Sequence, residues 1–384
     1  MTSVALPYQV WTATRSAVLV GLLSAAQLVP LLVTALVGGA FADAMDRRRL
    51  LLVSETVLAL LSGALAVNAL LPRPSLALVF VLSALASAVN GFHRPALDAL
   101  SPRLVTKDEI PAANALQGIR GTLAMVGGPA AGGLAIASLG LPATYLIDAA
   151  TFAASLLALA GVSSMGKPEA AERPGLASIL QGLRYARSRQ ELIGTYAVDF
   201  VAMIFGMPMA LFPAMAERWG GAPALGALTA APAVGALLLG LVGGFAKRVD
   251  RHGAAVAISA GAWGLAIVGF GLSRSLPLAL LFLALSGAFD MSSGLFRMRI
   301  WNETIPDYLR GRLAGVEMIS YLSGPLLGNA EAGLVAGAFG VAASVVSGGV
   351  LCVLGVAVTT LLLPRFWRYD GRAAPERKQE VLSA

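Results

Sequence analysis

"VGGAFADAMDRRRL", residues 37–50, sets Asp43, Asp46 and the arginines 47 to 49 within seven positions. An apolar run from Ala17 to Ala42 precedes this knot of charge, and another from Leu50 to Leu71 follows it. A soluble core has no use for such a knot between two long apolar segments, whereas a loop at a membrane surface does. "VGGFAKRVDRHG", residues 242–253, echoes it. There Gly243, Phe245, Ala246, Asp250 and Arg251 stand 204 positions after Gly39, Phe41, Ala42, Asp46 and Arg47. The chain contains a unit that occurs twice.

Composition agrees with a membrane solvent. Of 384 residues 57% are hydrophobic and 13% charged, with a mean hydropathy of +0.77. Soluble chains carry roughly a quarter charged residues. One cysteine (Cys352) and two histidines (His93, His252) leave no material for a disulfide framework, a Cys/His zinc site or a histidine-based nucleophile. Both histidines read as residues of membrane-edge loops. No cofactor or metal is expected, and no constellation supports an enzyme.

A spanning helix needs about 20 mostly apolar residues, and lipid admits only helices or closed barrels. The long runs lack dyad alternation, so they read as helices, at 17–42, 50–71, 75–93, 113–138, 142–162, 191–214, 222–246, 254–272, 277–296, 313–338 and 341–363. Alternate loops sort the positive charge. Of 28 Lys and Arg, 23 fall on one side, Arg297 and Arg299 counted there as loop residues, and 4 on the other. Arg120 is left inside a span. By the positive-inside rule the rich side is the cytoplasm, so the net charge of +7 is a topology signal and no nucleic-acid footprint. The segment 163–190 is a polar linker whose second part spaces Leu176, Ile179, Leu180 and Leu183 as an amphipathic surface helix. The expected organisation is thus an N-terminal bundle at 1–162, the linker at 163–190, a C-terminal bundle at 191–363 and a cytoplasmic tail at 364–384.

Three features make the chain resemble the major facilitator superfamily. Gly39, Asp43, Arg47 and Arg48 fit that family's loop pattern Gly-x-x-x-Asp-Arg-x-Gly-Arg-Arg, with departures at Ala44 and Asp46; the second copy has Lys247 where Asp43 stands in the first. "GGPAAGG", 127–133, supplies Gly128, Pro129, Gly132 and Gly133 of the motif marking the exporting, antiporter branch. "NALLPRPSLA" (68–77), "YLIDAATF" (145–152), "LFPAMAERWG" (211–220), "TAAPAVGALLLG" (229–240) and "LRGRLAGVEM" (309–318) are similar to the enterobactin (siderophore) exporters and their macrolide-efflux relatives. The resemblance implies an all-α polytopic membrane protein, a twelve-helix fold of two six-helix bundles, working as a monomer among membrane lipids in a bacterial inner membrane. It implies export of a small organic substrate by alternating access in exchange for protons. Import or uniport of a metabolite, or a scaffold without turnover, remain the rival readings. "SVALPYQVWTAT", 3–14, reads as the outer end of helix one. Twelve residues cover about 18 Å of a core roughly 30 Å thick, so helix one is expected to be truncated here, with roughly 20–35 residues before Met1.

Ionisable residues deep in a span are functional candidates by default. Asp199 lies roughly 12 Å into its span and Asp290 roughly 20 Å into its own, counting about 1.5 Å per residue. In the family these are helices seven and ten, which line the cavity, and either carboxylate can exchange a proton. Asp148 on helix six reads as more structural. Glu317 lies near an end of helix eleven, and Arg120 needs an acid to pair with. Asp43, by the resemblance, faces the N-terminus of helix eleven and latches the inner face, since a helix N-terminus carries about half a positive charge. Arginines 47–49 are expected on lipid headgroups or neighbouring acids. Five basic residues after Pro364 predict a cytoplasmic C-terminus. A C-terminal reporter active only outside the cytoplasm should be silent; signal from it would overturn the topology.

Overall fold

The computed structural model describes residues 1–44, 46–100, 105–162 and 184–373. Gly39 and Asp43 lie in a helix whose side chains from 36 onward are outside the described residues, as is the Glu317 side chain. So are most of the linker, the amphipathic stretch 176–183 included, and the tail from 374. No strand occurs among the described residues.

Helix α1 is Thr2–Thr14, α2 Ala17–Ala44, α3 Arg47–Leu70 and α4 Leu76–Leu100. The run Ile110–Ala160 is broken at Gly140 into α5 (110–139) and α6 (141–160). Then come α7, Gln190–Phe205; α8, Ala222–Leu241; α9, His252–Gly271; α10, Leu276–Thr304; α11, Asp307–Phe339; and α12, Val341–Leu362. Among the described residues nine stretches are long and apolar enough to cross a membrane. Their outer faces carry large apolar side chains that water would penalise, such as Leu157, Leu241, Phe339 and Leu361, each more than three-quarters exposed. Lipid is the solvent these faces fit.

The chain divides into two compact units, Met1–Arg173 with Phe212–Ala230, and Pro174–Leu211 with Ala231–Ala384. The internal repeat is visible in the backbone of each. Gly140 (φ 81°) joins α5 to α6, and Gly340 (φ 90°) joins α11 to α12. With ψ of 173° and 157°, both adopt a conformation open essentially to glycine alone. In the first unit Gly91 of α4 sits against Thr34 and Ala35 of α2; in the second, Gly287 of α10 sits on the Pro232 carbonyl of α8. Lipid gives helices little hydrophobic reason to associate, so such close backbone contact, with its dispersion and hydrogen bonding, holds them together.

The charged knot of the opening stretch has a structural task. Asp46 caps α3, its side chain accepting from the Arg48 amide at 2.9 Å. The Arg48 guanidinium turns to the far end of α6 and donates to the Leu159 and Ala160 carbonyls at 3.1 and 3.0 Å. Four carbonyls at a helix C-terminus lack intrahelical partners and carry partial negative charge, so a cation there satisfies both needs. The expectation that this arginine anchors to headgroups or acids is corrected accordingly. In the second unit the segment after α12 returns over the start of α9: the amides of Gly253 and Gly371 donate to the Tyr369 and Asp250 carbonyls. There Arg372 hydrogen-bonds Asp370 and holds its carboxyl down at about 2. Arg48→Ala should cost about 1–3 kcal/mol, read as a lower melting temperature of the purified protein. Arg49→Ala, at an exposed side chain, should leave it unchanged.

Candidate functional site

α7 buries Leu192, Thr195, Val198, Asp199 and Ala202 along one stripe, so Asp199 faces its own unit. α10 runs to Thr304, beyond the end expected at 296, because its buried stripe continues through Phe296, Arg297, Ile300 and Trp301. That corrects the reading of Arg297 as an inner-face loop residue. It lies within the helix with its side chain only 10% exposed. Helical side chains lean toward the N-terminus, which carries the guanidinium back along α10. Its Nη1 pairs with Asp199 Oδ1, and its Nη2 stands 3.9 Å from Asp290 Oδ1, two turns earlier on the same helix. Asp199 is 9% exposed and Asp290 42%. One guanidinium therefore serves a buried carboxylate on α7 and an open one on α10.

Neighbouring contacts hold this geometry. Trp301 Nε1 donates to Thr195 Oγ1 at 2.9 Å, and its ring stacks on Tyr196 at 5.4 Å between centroids. Tyr185 OH donates to the Thr304 carbonyl at 2.7 Å. Arg299, also expected in a loop, is inside α10 and donates to the Ala246 carbonyl at 2.5 Å.

The other candidates fall elsewhere. Asp148 on α6 accepts from Thr2 Oγ1 at 2.6 Å and Ser62 Oγ at 2.9 Å, tying α1, α3 and α6 together. Beside it Tyr145 OH donates to Gln9 Oε1 at 2.7 Å. Arg120 is exposed on α5. In the glycine motif, Gly133 lies against Gly226 and the Ala222 carbonyl of α8, all in the first unit. A Cβ there would come within 2.6 Å of that carbonyl, whereas a Cβ on Gly128 would meet nothing within 4 Å. Gly133 makes the tightest contact of the motif, and a Cβ on Gly132 would lie 3.3 Å from the Met1 backbone.

Both histidines were misplaced by sequence reasoning. His93 lies inside α4 with Nε2 2.9 Å from Glu55 Oε1 of α3. His252 opens α9 and is 5% exposed, with Nδ1 3.3 Å from Glu303 Oε2, which also accepts from Tyr369 OH at 3.0 Å. A glutamate in a helix and a histidine 38 or 51 residues away in sequence give no local signal of pairing.

The family of transmembrane secretion effectors matches residues 1–380. The chain belongs to it. This transporter is 29% identical over 362 residues to the enterobactin exporter EntS of Shigella boydii serotype 4 (strain Sb227), covering 94% of this chain and 87% of that protein. EntS of Escherichia coli O81 (strain ED1a) matches with the same identity and coverage. Among solved structures, the peptide transporter POT superposes with a TM-score of 0.75 at 12% identity, over 96% of this chain and 92% of that one. The nucleoside transporter NupG gives 0.73 at 13%, over 95% and 94%. These two identify the fold alone, the twelve-helix fold of the major facilitator superfamily. The protein is a multi-pass membrane transporter, as the repeat and the loop signature led one to expect.

Removing one partner of a buried ion pair costs about 3–5 kcal/mol, so Asp199→Ala should sharply lower the melting temperature in detergent. Asp199→Asn with Arg297→Gln removes both charges and should recover most of that loss. A double variant no more stable than Asp199→Ala would show that the pair does not couple.

Proposed function

We propose that this transporter exports small organic molecules of siderophore or drug-like character in exchange for protons, by alternating access, from a bacterial inner membrane. The observation carrying the proposal is Arg297 between Asp199 and Asp290. Two carboxylates against one guanidinium leave one negative charge in excess, which a single proton neutralises. Asp199 is buried and in direct contact with the guanidinium, so it is the standing partner. Asp290 is more open and farther away, so it is the group that takes up and releases the proton. Outward-open, Asp290 accepts a proton as substrate leaves. Inward-open, it gives that proton to the cytoplasm as substrate binds. Alternating access is carried by the two bundles, 1–162 and 191–363, with the linker 163–190 and the tail 364–384 on the cytoplasmic side. In this reading Asp43 latches the inner face, and the Gly128–Gly133 motif with its close contact at Gly133 suits an exporter.

The likeness to enterobactin exporters supports a siderophore substrate, which makes enterobactin the first probe for inverted vesicles with an acidic interior. Wild type should accumulate it as protons leave. Asp290→Asn should reduce uphill accumulation at least about tenfold, the effect of losing roughly 1.4 kcal/mol of driving force, while downhill exchange persists. If Asp290→Asn and Asp199→Asn both still concentrate substrate, the coupling acid lies elsewhere.

A further inference from the structure

Where α7 begins and α12 ends, the second unit holds a cavity of about 630 Å³ unrelated to the carboxylate site. Arg189, Arg365 and Arg368 line it, together with Gln190 and Glu191. Its walls are fixed. Phe366 is fully buried and packs onto Gly194 of α7, and the Arg365 amide donates to Gln190 Oε1 at 3.2 Å. Glu191 is the only acid in the lining and stands 3.8 Å from Arg189. Three guanidinium groups against one carboxylate leave two positive charges facing the cavity. Arg365 and Arg368 are exposed, and no ion pair of either is found among the described residues.

What lies just inward along α12 defines the occupant. Val358, Leu361 and Leu362 are 52%, 80% and 71% exposed, and Trp367 is 38% exposed beside the arginines. α12 is a membrane span, so these leucines face acyl chains, and a tryptophan at that level suits the interface. A ligand filling the cavity while lying along α12 must be anionic at one end and apolar at the other. We infer that this cavity binds the headgroup of an anionic phospholipid, with phosphodiester oxygens on Arg189, Arg365 and Arg368 and acyl chains along Leu361 and Leu362. A lipid with two phosphates, of the cardiolipin class, matches the two excess positive charges. Basic pockets at the ends of spanning helices bind such headgroups for this reason. The site is independent of what is transported and in which direction.

The test uses the purified full chain in detergent, read by native mass spectrometry and by thermal unfolding with added lipid. Cardiolipin should be retained and should raise the melting temperature, phosphatidylglycerol less so, and zwitterionic phosphatidylethanolamine not at all. Inorganic phosphate at equal phosphate concentration should give no shift. Each basic residue near a membrane surface is worth about a fivefold change in binding, so Arg365→Gln with Arg368→Gln should weaken retention roughly 20–30-fold. Arg365→Lys with Arg368→Lys should keep most of it. Because both side chains are exposed, the lipid-free melting temperature should not move. Equal retention by the Gln double variant, equal binding of phosphatidylethanolamine, or reproduction of the shift by inorganic phosphate would each overturn the proposal.

Discussion

Hydrocarbon offers no hydrogen bonds, and this absence governs the molecule. Each backbone amide and carbonyl in a span must find its partner inside its own helix, which is why the described residues hold helices and no strand. At helix ends the same demand falls on side chains: Asp46 takes it up for the first amides of α3, and Arg48 for the last carbonyls of α6. Between helices, close packing stands in for the missing hydrophobic drive, at Gly91, Gly133 and Gly287.

Charge inside such a solvent is tolerated where it is paired. Arg297 meets that condition with Asp199 and then stands close to a second carboxylate. The arrangement is one proton short of neutrality. In the coupling role proposed above, the same three side chains also hold α7 to α10, so removing Asp199 is expected to affect folding and transport together, whereas Asp290, more open, bears mainly on transport. The Glu55–His93 and Glu303–His252 pairs obey the same rule in the two units. Each brings a carboxylate to an imidazole across a helix interface, the buried partner being Glu55 in the first pair and His252 in the second.

Much was legible in the sequence because hydropathy and small-residue patterns are local. The spans, the repeat, the interruption between 138 and 142 and the loop signature all depend on residues near one another in the chain. Asp199 and Asp290 could be singled out for the same reason: an acid within an apolar run is conspicuous. Arg297 escaped because it sits where the hydropathy of α10 falls. Its apolar stripe at Phe296, Ile300 and Trp301 was the available signal that the helix continued.

What the sequence determined by itself is the solvent and the framework. Apolar runs of spanning length without dyad alternation read as helices in lipid, and the repeated knot of charge marks the same turn in each half. Tertiary structure alone decided which charges meet. Asp199 and Arg297 are 98 residues apart, Glu55 and His93 are 38 apart, and Arg48 caps a helix that ends 112 residues later. Pairing at that separation depends on helix rotation and crossing, which are set by where small residues let backbones approach. No pattern within a single span encodes them.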